Sequence, residues 1–488
     1  MRSRLFLLSC ALLIGSAALL SLFFALDGRA APVLAEPARL PDPAALQNLS
    51  PITRYVALSG SDTTTCTRPL SPCRTIQHGI DVATAGDLIK VATGVYTDVH
   101  ARDGYHQIAY ITQTLTIRGG YTTSNWSNSN PISYPTTLDA HGAGRGIYIE
   151  PPEWPVVTQI TPTIEGLRIT GGYANGSGMG GGGIYAQQAA PMIRGNSIVE
   201  NDASSGGGIS LWSCSGRIVS NTITNNNAST GGGIMIGQGN THVIGNVIAS
   251  NTAGYGGGIA STWSSAPLIR HNTITSNTAD TGGGMFTITS EATLQGNTIA
   301  ANAAQHGGGA WVDISGIHLE NTVIADNQAT VEGSGLLVSY SSVHLLHTTL
   351  ARNGSAGGDG TGIETIFLDD EKACSTVTLS NTILVSHTVG ISVAEGCTAR
   401  LDGTLWGSGA WSNKVDWAGT VLTGTVNLWA DPGFRDPERG DYRILPHSPA
   451  VDAGIFSDVR DDVDGDPRPA GFGWDIGADE SPGASLGL

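Results

Sequence analysis

The chain has 488 residues, 67 of them glycine, with 24 Lys and Arg against 41 Asp and Glu. Glycine at about twice its ~7% average usage, without a G-X-Y period and beside 40% hydrophobic residues, excludes collagen and argues against disorder. A net charge of −17 with only three lysines, Lys90, Lys372 and Lys414, supplies no basic footprint for nucleic acid or anionic lipid.

The first predicted element is apolar. After Met-Arg-Ser-Arg, the run from Leu5 to Leu26 carries no charge, and Gly28-Arg29-Ala30 or Val33-Leu34-Ala35 offers a small-x-small cleavage site. Residues 1–30 therefore read as a signal peptide or, because 22 apolar residues can span a bilayer, an N-terminal membrane anchor. The stretch before Cys10 is too short for a lipoprotein box. Residues 31–53 are rich in Pro and Ala and read as a linker. Export makes disulfides available. Cys66 and Cys73 close the short loop TCTRPLSPC, Cys374 and Cys397 stand 23 residues apart, and Cys214 is left over. For the second pair, a bridge between neighbouring coils and two buried thiols are both open.

Residues 54–163 read as an N-terminal cap and first irregular coils. A helix beginning near Ser71-Pro72 would place Ile76, Ile80 and Ala83 on one face, as a lid over an open hydrophobic end. From 164 to 426 the chain repeats. GGGI recurs at 181, 206, 231 and 256, followed by GGGM at 282, GGGA at 307, GSGL at 333 and GTGI at 360, in steps of 25 to 27 residues. Asparagines keep time at 196, 221, 246, 272 and 297, then at 321 and 381. A second series follows at 201, 226, 251, 277, 302 and 327. β-branched segments between Gly and Asn corners leave no room for a ten-residue helix, and the period fits neither a propeller blade nor a leucine-rich repeat. The fold expected is all-β: a right-handed parallel β-helix solenoid of about 25 residues and three short strands per coil, with a short N-terminal capping helix. Ile184, Ile209, Ile234, Ile259, Met285 and Leu336 should form one internal row; Ile198, Ile223, Ile248, Ile274, Ile299 and Val323 should form another. The asparagine amides should satisfy their counterparts one coil away, at ~4.8 Å.

From residue 54 onward the chain resembles secreted bacterial right-handed parallel β-helix proteins of the pectin-lyase-like class. RYVALSGSDTTTCTRPLSPCRTIQHGIDVATAGDLIKVATGVYTD is similar to their opening. The end, DPGFRDPERGDYRILPHSPAVDAG followed by DVDGDPRPAGFGWDIGADE, resembles a choice-of-anchor Q module, so that 427–488 is expected as a closing module. The resemblance implies architecture; the same fold carries lyases, hydrolases, epimerases and adhesins.

Catalytic residues do not emerge. Just after the glycine corners the acids are Asp313 and Glu364, two coils or ~10 Å apart, a poor acid–base pair. Those segments are aromatic instead. Tyr185, Trp212, Trp263, Phe286, Trp311 and Tyr340, with Phe367, suggest an outward strip for stacking on the sugars of a polysaccharide or cell-surface glycan; shielding of the strand face is the alternative. His318 with His344, and Glu320 with His347, are spaced to stack on neighbouring coils, which is half a metal site. Asp462, Asp464 and Asp466 alternate as in a Ca2+ loop, yet the glycine comes one place early, Pro467 follows and the twelfth-position Glu is absent. A turn braced by Arg468 with Asp475 or Asp452 accounts for them better. The sequence thus reads as a monomeric, exported or cell-surface bacterial glycan-binding or adhesive protein, touching membrane only through its N-terminus. A polysaccharide lyase or hydrolase and a structural spacer are the alternatives.

Overall fold

A computed structural model describes residues 51–482 except 153–157, 177–179, 355–359 and 368–373. The expected signal or anchor, and the linker up to residue 50, lie outside the described residues. No described helix is long and apolar enough to cross a membrane.

The glycine repeat winds into a parallel β-solenoid of about twelve turns. One coil consists of strands Ile234–Gly239, His242–Ile244, Val247–Ala249 and Thr252–Tyr255, so the coil has four short strands where three were expected. The extra strand arises because both asparagine positions bend the chain. In later coils the second and third strands merge, as in Thr376–Val385 and Thr398–Gly407. Gly231, at φ 66°, takes the left-handed corner conformation, and a Cβ on Gly232 or Gly233 would press to 2.6 Å from the carbonyl of the next coil. Alternation then sends Ile234 and Ile236 inward, and both are fully buried.

The first internal row is present, in register from Ile184 through Ile209, Ile234, Ile259 and Met285. It continues through Ala310 to Leu336. The second follows Ile198, Ile223, Ile248, Ile274 and Ile299 but passes to Ile324, not Val323. Val323 faces outward into a separate cluster with Phe434, Tyr442, Ile444 and Ile476 of the C-terminal segment.

The asparagines are the polar counterpart of these rows. Asn251 Nδ2 donates to Ile223 O at 2.9 Å and to Asn277 Oδ1 at 3.0 Å, while its own Oδ1 accepts Asn226 N and Nδ2, both at 3.0 Å. This ladder runs from Asn201 to Asn353; His387 then takes the asparagine position, between Asn353 Nδ2 at 3.2 Å and Asn413 Oδ1 at 3.2 Å. The other ladder stops at Asn297. Asn321 and Asn381 stand one place earlier, at left-handed corners with φ 48° and 49°, and turn outward.

The N-terminal end is covered by α1, Ile76–Asp81, capped by Thr75 rather than opening at Ser71-Pro72; Ile76 and Ile80 sit in the core and Ala83 packs against it. Cys66–Cys73 closes the preceding loop, and Cys374–Cys397 bridges adjacent coils with Cα atoms 5.2 Å apart. Cys214 is a buried free thiol that burial pushes up to about 11.

The segment after Ala430 packs along the flank of the solenoid. Asn321 Nδ2 donates to Asp461 O at 2.7 Å, His347 Nδ1 lies 3.2 Å from Asp475 O, and Asn381 Nδ2 donates to Ile455 O at 2.8 Å. The brace for this segment differs from the sequence expectation: Arg468 pairs with Glu480 at 2.6 Å, fully buried, while Asp475 accepts the N–H groups of Asp452 and Ser481.

Replacing Asn251 by Ala should lower the stability by at least ~2 kcal/mol, because buried partners on both neighbouring coils lose their bonds; Thr252→Ala, whose side chain is exposed, should change it by less than ~0.5 kcal/mol in the same denaturant titration. A second expectation concerns pH. Burial, only partly offset by Asn413, lowers His387 from its ordinary 6.5 to about 4. The native state therefore resists a proton that the unfolded chain takes up, and stability is lost as pH falls from 6.5 towards 4. Relative to wild type, His387→Asn should gain up to ~2–3 kcal/mol between pH 7.5 and pH 4.5; parallel stability-pH curves for the two proteins would contradict it.

Candidate functional site

The six aromatic residues do not form one outward strip. Tyr185, Phe286 and Trp311 belong to a single outward row of the glycine-led strands, and all three are buried at 4%, 7% and 3% exposure. Tyr185 continues a tilted stack from Tyr110 and Tyr148, with ring centroids 5.2 Å apart, and the Arg145 guanidinium lies 5.7 Å from both the Tyr148 and Tyr185 rings. Phe286 packs edge-on to Trp311 at 6.1 Å, in a cluster with Leu337. These side chains shield the strand face, and their ring faces are not free for a polymer.

Trp263 and Tyr340 lie elsewhere, at the corner between the first and second strands, and Trp212 is the last residue of strand Ile209–Trp212, next to that corner. There each coil needs a left-handed residue: Ser213, Gln238, Thr289, Ile314 and Tyr340 have φ between 45° and 57°, and Trp263 and Ser264 have 61° and 58°. A β-branched or bulky residue in that region is uncommon, since it costs of order 1 kcal/mol or more, and the turn directs its side chain off the sheet. The corner positions thus form a ridge along the solenoid that carries Trp263 and Tyr340, with Trp212 beside it, and all three rings are half-buried. Trp212 lies over Gly237 of the next coil, where any Cβ would collide with its ring, and meets Trp263 edge-on at 6.3 Å. Phe367 packs partly against the core.

Beside this ridge an open groove of about 560 Å³ spans four coils. One wall is the ridge itself, with Ile314, 53% exposed, and Tyr340. The floor and far wall come from two outward rows of the second strands: Glu291, Gly316, Ser342 and Thr376, and Thr293, His318 and His344. Gly316 makes room for the Glu291 carboxylate, which would otherwise collide with a Cβ there. The His318 and His344 rings are 6.5 Å apart, His318 Nε2 is 3.7 Å from Glu320 Oε2, and His344 Nε2 is 3.4 Å from Ser342 Oγ. Cys374, bridged to Cys397, forms part of the floor. Four coils at ~4.8 Å spacing give the groove a length of roughly 14 Å between first and last strands.

His347 takes no part. Glu320 is in register with Leu346, and His347 is buried beneath the C-terminal segment, where burial and nearby Arg468 lower it to about 3. Among the described residues no further His, Cys, Asp or Glu joins the two groove histidines to make the set that Zn2+ takes. Among the described residues, three metal-type ligands meet only at Cys66, Cys73 and His78, and those sulfurs form a disulfide. Asp462 is spent on its own turn: Oδ1 accepts Asp464 N and Asp466 N, and Oδ2 accepts Glu480 N, at 2.8–2.9 Å. Asp464 stands 3.6 Å from Arg443. The loop is an aspartate-braced turn in which Asp462 has few lone pairs left for Ca2+.

The acids at the glycine-led strands are also engaged. Asp313 Oδ1 accepts Ser339 Oγ–H at 2.7 Å, Ser339 Oγ accepts Trp311 Nε1–H at 2.9 Å, and burial raises the Asp313 carboxyl. Glu364 accepts Gly333 N at 2.9 Å and occupies the other outward row, two coils on.

Residues 207–405 match a family model described as the right handed beta helix region, which agrees with the parallel coils seen here. No curated protein matches the sequence significantly. Among solved structures the chain is similar to the pectate lyase Pel9A, at 11% identity over 88% of this chain and 96% of that one, with a TM-score of 0.43. It is also similar to a rhamnogalacturonan lyase, at 12% identity over 78% and 90%, TM-score 0.33, and to the A-module of the Azotobacter vinelandii mannuronan C-5 epimerase AlgE6, at 12% over 73% and 94%, TM-score 0.32.

The ridge can be probed without a ligand. Gly237→Val should displace the Trp212 ring and alter the near-UV circular dichroism while leaving the far-UV spectrum intact; an unchanged near-UV band would show that Trp212 does not rest on Gly237.

Proposed function

We propose that this chain is an exported or cell-surface bacterial protein that binds an extended glycan along the corner ridge and its groove. The observation that carries the reading is the open groove across four coils, walled by Tyr340 and lined by imidazole, hydroxyl and carboxylate groups. Saccharides are bound by that combination: an apolar ring face for stacking and convergent hydrogen-bonding groups for orientation. Trp263 and Trp212 extend the ridge towards the N-terminal coils, so a polymer can contact more than one coil. Two disulfides and the charged-then-apolar N-terminus suit an oxidising, extracytoplasmic setting. Binding is preferred to turnover because Asp313 and Glu364 are held by other groups on separate rows, and no described pair of free acids converges in the groove.

Tyr340→Ala and Trp263→Ala should each weaken retention on a bound polysaccharide by about 5- to 10-fold, the loss expected of one stacked ring, whereas Trp311→Phe, at a buried position, should leave retention unchanged in the folded protein. Affinity electrophoresis on a polysaccharide panel measures this. Incubation with the same panel should release no unsaturated or reducing ends; steady release would favour the lyase or hydrolase reading, and retention of no glycan would leave the spacer.

A further inference from the structure

The described lining of the groove carries no fixed positive charge. Among the described residues lining it there is no Lys and no Arg; the one carboxylate is Glu291, exposed and two coils from the coil of Tyr340. The next carboxylate, Glu320, lies beside His318 at 3.7 Å. The nearest guanidinium on the same outward row is Arg400, reached from His344 only through Thr378, hence two coils or ~10 Å further along the axis. The surrounding molecule carries −17.

A polyuronate presents one carboxylate per sugar. Held in this groove, each would need a donor cation or a metal to offset its desolvation, and would face Glu291 and the field of an acidic protein. A neutral sugar needs neither. Its hydroxyls can donate to the Glu291 carboxylate and exchange hydrogen bonds with Thr293, Ser342, Thr376 and the two imidazoles, while Tyr340 and Ile314 cover an apolar ring face. Resting on the glycan-binding reading above, we infer that the groove selects a neutral polysaccharide and excludes polyuronates, with Glu291 as the residue that sets this preference.

The test uses the full chain at pH 8 in affinity electrophoresis against xylan and β-glucan as neutral probes, polygalacturonate as the anionic probe and chitosan as the amine-bearing one. Wild type should be retarded by a neutral probe equally in 20 mM and 500 mM NaCl and pass polygalacturonate without retardation. Glu291→Lys should gain polygalacturonate retention by at least tenfold at 20 mM NaCl and lose it at 500 mM; Glu291→Gln, which removes the repelling charge and a hydroxyl acceptor without adding a cation, should weaken neutral retention and gain salt-sensitive polygalacturonate retention smaller than that of Glu291→Lys, and no gain in either variant would contradict the role of Glu291. Polygalacturonate retention by wild type as strong as that of the neutral probes overturns the inference while leaving glycan binding in place. Retention of chitosan alone, abolished by salt, overturns it in the opposite sense. If the folded protein is retarded by no probe, the glycan reading itself fails, and this inference with it.

Discussion

The buried amide bond between coils is the interaction on which the rest depends. Each corner of a solenoid turns peptide groups away from any strand partner, and inside the core there is no water to satisfy them. Asn251 resolves this by bonding both the backbone and the amide of its neighbours at about 3 Å. Because each asparagine donates to the next coil and accepts from the previous one, the corner has the same geometry wherever it recurs. That fixed geometry sets the register of Ile234 on one side and Ile248 on the other. The corner between the first and second strands recurs coil after coil in a left-handed conformation of its own, and it carries Trp263 and Tyr340.

Much of this was legible in the sequence, for a physical reason: a solenoid repeats its environment, so a structural requirement appears as a period. The 25-residue step gave the coil, the inner aliphatic row and the continuous asparagine ladder. Failures came where one environment replaced another. After Asn297 the pattern shifts from Gly-Asn to Asn-Thr, at Asn321 and Asn381, and aligning asparagine with asparagine moved the prediction one residue out of register. Val323 was placed inside on that basis, yet Ile324 is inside and Val323 faces the C-terminal segment. The shift is informative in retrospect. Where the ladder residue becomes threonine, the freed amide at the corner turns outward and grips the segment after Ala430. A break in a period can therefore mark a docking face.

The aromatic residues show a different limit. Alternation from the inward isoleucines correctly indicates that Tyr185, Phe286 and Trp311 point outward, but pointing outward and being exposed are separate properties. Exposure depends on what covers the strand face, and here the cover comes from side chains of neighbouring strands: Tyr148 and the Arg145 guanidinium beside Tyr185, and Leu337 with Tyr255, Ile288 and Ile366 around Phe286 and Trp311. The useful division was between the strand row and the left-handed corner, and it can be sought in sequence: a corner normally filled by Ser, Gln or Thr carries Trp263 or Tyr340 in only some coils. A bulky residue at a position whose backbone disfavours it carries a conformational penalty, which makes it a stronger pointer to binding than an aromatic on a strand.

The C-terminal segment unites these points. Its acidic residues are crowded: burial, then neighbouring Asp462 and Asp464, raise Asp479 to about 7, and burial raises Asp475 to about 7. Carboxyls held that high stabilise the folded state below neutrality and give this up as pH rises from about 4 through 7. His347 and His387 act in the other direction, losing stability as pH falls below 6.5. The two groups partly cancel between pH 4 and 6.5, although His387 serves the coils while His347 and the aspartates serve the flank. Stability measured on the whole chain will therefore vary less with pH in that range than either part does alone. A flat profile here would reflect opposed burial costs rather than an absence of buried charge.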